Sequence, residues 1–234
     1  ATPYVIRDQS SFNLLLPHDL VDEFISRISR FILRAKVTIS ENHAMAMIGV
    51  IGETVTEIDK TQFDGLNYQK LKINQTQGII LCPNESLMSF WLKAKTIYSS
   101  SDFECWELEN IRNGIVNIQD ATKEQFLPQM INLEKREGVS FSKGCYPGQE
   151  IVARTKYLGS VKRKLCNFKS SALISPGTTI VNSHGAVCGI VCHTARDIHT
   201  INSQAGLAVI HIDNIDDVKL TTSDSIQIDA VTVI

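Results

Sequence analysis

The last seventy-odd residues constrain the fold most. From Val161 onward, short apolar runs alternate with turn residues: Lys164–Phe168, then Ser175-Pro176-Gly177, Thr178–Val181, Ala186–Cys192, Leu207–Ile212 and Ile226–Ile234. Runs of this length cannot make helices of ordinary size. Turn clusters every 8–12 residues or so are the pattern of a small all-β barrel or sandwich. The character of the chain changes near Gly159. The expected division is therefore a first domain over 1–158 and a C-terminal β-barrel over 159–234.

The first part is mixed. Tyr4-Val5-Ile6 and residues 11–16 read as strands. From Pro17 to Arg34, Leu20, Phe24, Ile28 and Phe31 recur at three- and four-residue steps and define one apolar helix face. Val37–Ile39 begins a further strand, and Ala44–Ile51 is another apolar run, closed by Gly52. Asp64-Gly65 and Asn67 signal a turn. Leu71–Ile73 and Ile79–Cys82 read as a strand pair around the polar stretch 74–78. Ser86–Thr96 predicts a helix with Leu87, Phe90, Trp91 and Ala94 on one side. Asp102–Arg112 predicts another, with Asp102 as N-cap. The fold class is α+β, and 234 residues suffice for one large or two small domains with a real core.

Charge and composition exclude several classes. The net charge is -2 and hydrophobic residues make up 43%. No whole-chain basic field exists to hold nucleic acid or an anionic membrane, so no direct nucleic-acid binding and no membrane partner are expected. No apolar run reaches the roughly 18 residues of a membrane span. The N-terminus lacks a signal-peptide pattern, so the expected location is cytoplasmic. The chain opens abruptly on strand-like residues, as a fragment or a shortened protein would.

The six histidines (18, 43, 184, 193, 199 and 211) are scattered and read as surface or structural groups. No metal site is expected. None of the six cysteines forms a CxxC pair. Cys188 and Cys192 are four apart, which puts both on one face of a regular strand. That spacing suits a disulfide or metal pair, or else two small buried hydrophobes, and a reducing cytosol disfavours the disulfide. Trp91 and Trp106 fall on presumed helix faces, as core residues or, for Trp106, as a pocket wall. The basic run Lys156, Lys162, Arg163 and Lys164 reads as a solvated strand edge or a seat for an anion.

Residues 138–150 differ from the rest. Glycines and polar residues crowd around Cys145, and Lys143 lies two positions before it. A thiolate is the reactive form of cysteine, and its pKa falls beside a cation or at a helix N-terminus. Pro147 suits a first helical turn, and residues 148–154 predict the helix that follows. Cys145 then stands just outside a positive dipole end. The alternative is a structural turn with an inert, buried cysteine.

This segment, Lys143-Gly144-Cys145-Tyr146-Pro147-Gly148-Gln149-Glu150, resembles the K-G-C-Y-x-G-Q-E signature of the YgfZ-type family. Upstream, Phe126, Pro128, Gln129, Asn132, Leu133 and Gly138 to Phe141 resemble the family's F-x-P-Q-x-x-N-L and G-V/I-S-F pattern. Downstream, Ala153-Arg154, Gly159 and Lys162-Arg163 resemble its A-R, G and K-R. The register is continuous over about 40 residues. The N-terminal part through Lys36-Val37 is weakly similar to the family's helix followed by L-R-x-K-V.

The resemblance implies aminomethyltransferase-like, folate-binding α/β subdomains in a ring around a central pocket, followed by a C-terminal β-barrel. It also implies kinship to the T protein of glycine cleavage. The implied function is that of a folate-linked accessory factor, not a classical enzyme, in assembly or repair of iron–sulfur proteins, indirectly supporting tRNA modification. Iron–sulfur client enzymes are the implied partners and tetrahydrofolate the implied cofactor. The working residues would be Cys145 with Lys143. Glu109, Arg112, Gln129, Tyr146, Gln149, Glu150 and Arg154 would meet folate.

Two departures bear on the cofactor. Family members carry a further stretch before residue 1. Ile111-Arg112-Asn113-Gly114 resembles a family I-E-A-G element, with Arg112 where a pterin-gripping glutamate stands. Guanidinium is donor-only and cannot accept from a pterin's paired N–H groups. Folate binding is accordingly expected to be weak or absent, with Glu107, Glu109 or Gln129 as substitute clamps and Lys156 or Lys162 for the folate tail. Two alternatives to the accessory role are a tetrahydrofolate-dependent aminomethyltransferase and an interaction module that has lost its ligand.

Overall fold

The structure is a computed structural model that describes residues 1–52, 63–157, 159, 161–198, 200, 202–215 and 220–234. His199 lies outside the described residues. Contacts divide the chain into two compact units: unit 1 holds residues 1–4, 15–20 and 110–234, and unit 2 holds 5–14 and 21–109. The composition shift near Gly159 thus falls inside unit 1.

β1 (Tyr4–Asp8) and β2 (Ser11–Leu15), which but for Tyr4 and Leu15 belong to unit 2, form a two-stranded sheet. A three-stranded antiparallel sheet runs in the order β3 (Met45–Ile51), β5 (Gln77–Pro83), β4 (Gln69–Lys72). The central strand β5 is buried from Gln77 to Cys82. A strand covered on both faces should read as a continuous apolar run, and Ile79-Ile80-Leu81-Cys82 does.

On one face, Ile48 and Ile80 pack with Phe63 and with Phe90 of α2 (Leu87–Ala94). The Phe63 and Phe90 rings stack at 4.4 Å, and Tyr68 meets both edge-on. On the other, Gly49 of β3 lies under Trp106 of α3 (Phe103–Arg112), and a Cβ there would come within 2.7 Å of the indole. Glycine at this position lets the helix sit close to the sheet.

Two expectations fail here. Helix α1 (Val21–Ser29) is preceded by a 3-10 turn over His18–Leu20 and stops well short of Arg34. It buries no residue, and Phe31 remains exposed, so nothing holds the last turns against the entropy of a short helix. The strand expected at Val37–Ile39 does not form; Val37 is exposed and finds no neighbouring strand.

Unit 1 is built on a six-stranded antiparallel sheet in the order β10-β7-β8-β9-β6-β11. Its strands are β6 (Arg163–Ser170), β7 (Thr179–Val181), β8 (Val187–Arg196), β9 (Gln204–His211), β10 (Thr221–Thr222) and β11 (Asp229–Val233). Cys166, Phe168, Ile180, Val191, Ala208, Ile210 and Leu220 form its core.

The expected closed barrel is not formed. The ladder ends at β10 and β11, which are linked only by a hairpin with one isolated bridge, Thr221↔Gln227. Two-residue β10 is too short to continue a ladder, and β11 loses register between Asp229 and Thr232.

Cys188 and Cys192 do not sit in the regular strand from which a shared face was expected. Both cysteines are skipped in the pairing, Cys188 against β7 and Cys192 against β9. Each is the extra residue of a β-bulge, and a bulge breaks the two-residue alternation. Both are buried free thiols.

Candidate functional site: the Cys145 loop and its helix

The loop 139–148 leads into α4 (Gln149–Tyr157). Pro147 and Gly148 form the turn before the helix, and Gly148 has φ +85°, a value that favours glycine. Gln149 closes the turn from both ends. Its backbone N–H donates to Tyr146 O at 3.2 Å, and its side-chain Oε1 accepts from Tyr146 N at 3.2 Å. The helix thus begins one residue later than the spacing predicts, and Cys145 stands four residues before it.

Cys145 is exposed. Its sulfur makes no hydrogen bond among the described residues. Lys143 does not bond to it: the ammonium sits over the Tyr146 ring, 5.0 Å from the centroid. The cation is held on the loop by this cation–π contact.

The other cysteines differ. Cys105 is half-buried, and its sulfur accepts from Ser101 Oγ at 2.6 Å. Burial raises the Cys82 thiol and pushes Cys166 up to about 11, with Lys164 pulling against it. Burial raises Cys192 further still.

Gln129 is the brace of α4. It is buried, and its Nε2 donates to Val152 O at 2.7 Å, so a side chain from the 3-10 turn Pro128–Ile131 grips the middle of the helix. Its Oε1 is buried without a hydrogen-bond partner among the described residues. Glu150 and Arg154 pair with each other at 2.8 Å on the exposed side of α4. Solvated i,i+4 pairs of this kind contribute only about 0.3–0.5 kcal/mol. At the far end of α4, Lys156 lies over the Phe141 ring at 4.8 Å and 3.4 Å from Glu134, tying the helix back to the loop's start.

The structure therefore brings Lys143, Cys145, Tyr146, Gln149 and Gln129 into one loop-and-helix assembly. Glu109 belongs to unit 2, where its Oε1 accepts from Thr76 Oγ1 at 2.8 Å. Arg112 is exposed in unit 1 and lines a groove with Lys135 and Arg136. Sequence reasoning missed Lys135 and Arg136. They sit between Glu134 and Glu137, a mixed-charge run that reads as solvated surface. Among the described residues no group of three His, Cys, Asp or Glu side chains is placed to hold a metal ion. No helix among them is long and apolar enough to cross a membrane.

Unit 2 carries a separate apolar groove of about 750 Å³, lined in part by Gly49, Met88, Trp91, Tyr98, Phe103 and Trp106. Trp106 thus serves both as packing against Gly49 and as a wall.

No protein-family profile matches the chain. Among curated proteins it is 33% identical over 159 residues to an uncharacterized protein of Haemophilus influenzae, covering 68% of this chain and 51% of that one. It is 31% identical over 175 residues to the tRNA-modifying protein YgfZ of Colwellia psychrerythraea, covering 69% and 53%. It is 30% identical over 168 residues to the protein of that name from Pectobacterium carotovorum, covering 66% and 50%. The chain spans about half the length of the curated relatives it matches.

Proposed function

The chain belongs to the YgfZ family, and from that premise we propose that it is an accessory factor in the assembly or repair of iron–sulfur proteins that acts through Cys145 and thereby supports tRNA modification. The observation that carries the reading is the exposure of Cys145, against five cysteines that are buried or half-buried. A thiol that works on a client must reach it. The loop supplies that access: Gln149 and Gly148 fix the turn, Lys143 keeps a positive charge on Tyr146, and Gln129 holds α4 behind them. The proposal includes iron–sulfur client enzymes as partners and a cytoplasmic location.

Tetrahydrofolate, the cofactor the resemblance implies, fits the described residues poorly. Arg112 offers only donors where a pterin's N–H groups need an acceptor. Glu109 already accepts from Thr76. Gln129 Oε1 keeps acceptor capacity but is buried.

The test is restoration of iron–sulfur enzyme activity in a host lacking its own family member. Cys145→Ala is expected to accumulate as folded protein and to restore none, since an exposed thiol contributes little to the core. Complementation equal to the parent chain would overturn the reading.

A further inference from the structure

We propose that the open edge of β3 is a strand-addition site for a single extended apolar segment, without net charge, of a partner protein. The site lies wholly in unit 2 and uses no residue of the Cys145 loop.

The register decides which backbone groups of β3 are free. Opposed residues of an antiparallel pair alternate between those that exchange hydrogen bonds and those that do not. At the two ends of the β3–β5 ladder, Asn84 N–H donates to Ala44 O at 2.8 Å and Gly52 N–H donates to Thr76 O at 2.9 Å. The pairing between them runs without a slip, from Met45 opposite Pro83 to Ile51 opposite Gln77. Ala46, Ile48 and Val50 therefore bond to β5, and Met47, Gly49 and Ile51 point their N–H and C=O groups the other way. β3 is the outer strand of its sheet, so those groups meet no strand among the described residues.

Edge strands are ordinarily blunted by a charge, a proline or a bulge. Met45–Ile51 has none of the three. Instead the edge runs along the floor of the apolar groove, between Met88 and Trp91 of α2 and Phe103 and Trp106 of α3. Met47, Met88 and Phe103 are large apolar groups left open to water. Backbone donors and acceptors in alternation select a strand, and the flanking side chains select apolar residues along it. The charges of the described lining are Lys95 and Asp102, one of each sign, which suits a segment without net charge. β3 of a second copy would bring its own α2 and α3, and these would collide before the strands reached the pairing distance of about 4.8 Å. A lone segment has no such walls. Met47–Ile51 spans about 14 Å at ~3.4 Å per residue, which a segment of about five residues covers.

Fluorescence anisotropy with the full chain tests this. The probe is a labelled, capped peptide that alternates valine and threonine between a terminal lysine and a terminal glutamate. It is expected to bind saturably. The same peptide with a fully N-methylated backbone keeps the side chains and loses the donors, and should bind at least about tenfold more weakly. Phe103→Asp puts a charge into the wall at an exposed position and should weaken binding by a similar factor. The methylated peptide leaves the protein unaltered, so it carries the test even if Phe103→Asp does not fold. No saturable binding, or equal affinities for the two peptides, would overturn the site. So would a chain that light scattering finds dimeric and that Phe103→Asp turns monomeric, since a second copy would then hold the edge.

Discussion

Limiting alkylation of the native chain tests the central residue most directly. The perturbation is sub-stoichiometric iodoacetamide at pH 7.5, and the competitors are six free thiols in one molecule. Only thiolate reacts, so ionisation sets the first factor. With an ordinary value of 9.0, about 3% of a thiol is ionised at pH 7.5, whereas Cys166, pushed up to about 11, is ionised to about 0.03%, a hundredfold penalty. Burial sets the second factor. Cys82, Cys166 and Cys192 are wholly inaccessible and react only through opening of the fold. Even a local opening costing about 3 kcal/mol removes a further two decades. Cys105 is the closest competitor, because it is only half-buried, but its sulfur is held by Ser101. The first equivalent of label is therefore expected on Cys145, read by peptide mass mapping. Faster labelling of Cys82, Cys105, Cys188 or Cys192 would refute the reasoning.

Two further outcomes follow from the same structure. Burial raises the Cys166 thiol from 9.0 to about 11, so the native state holds its proton where the unfolded chain has lost it. Stability should be intact below about pH 9 and fall as the pH rises towards 11; Cys166 contributes about 1.4 kcal/mol per pH unit to that fall, and denaturant melts of Cys166→Ala should be shallower by this amount, the raised Cys82 and Cys192 keeping their own share; parallel curves for the two proteins would refute it. Titration with tetrahydrofolate should give weak or no binding. An absent carboxylate clamp forfeits about 1.5–3 kcal/mol, one to two decades of affinity, and a low-micromolar dissociation constant would show that another acceptor clamps the pterin.

What the sequence determined by itself is what short-range physics determines. The strands β3, β4, β5 and β6 to β9 lie where β-branched and apolar runs meet turn residues, and α2 and α3 lie where the apolar period is helical. Pro147-Gly148 before Gln149 marks the helix start within one residue, because a fixed proline φ and a glycine at positive φ are local requirements. The placement of Cys145 in a polar loop ahead of that helix was legible for the same reason.

The tertiary structure decided what depends on pairing between distant segments. Register made Cys188 and Cys192 bulge residues, although their spacing alone puts them on one face. The shortness of β10 and the slip in β11 left the six-stranded sheet open, and no local pattern encodes closure. Helix α1 stopped at Ser29 because its apolar stripe found little to bury it. Gln129, which reads as a possible ligand group, became a brace because α4 folded against it and offered Val152 O. The groove beside Arg112 joins residues 112, 135, 136 and 234. A charge in a sequence reads as solvated unless its neighbours in space are known, and those neighbours are a product of the fold.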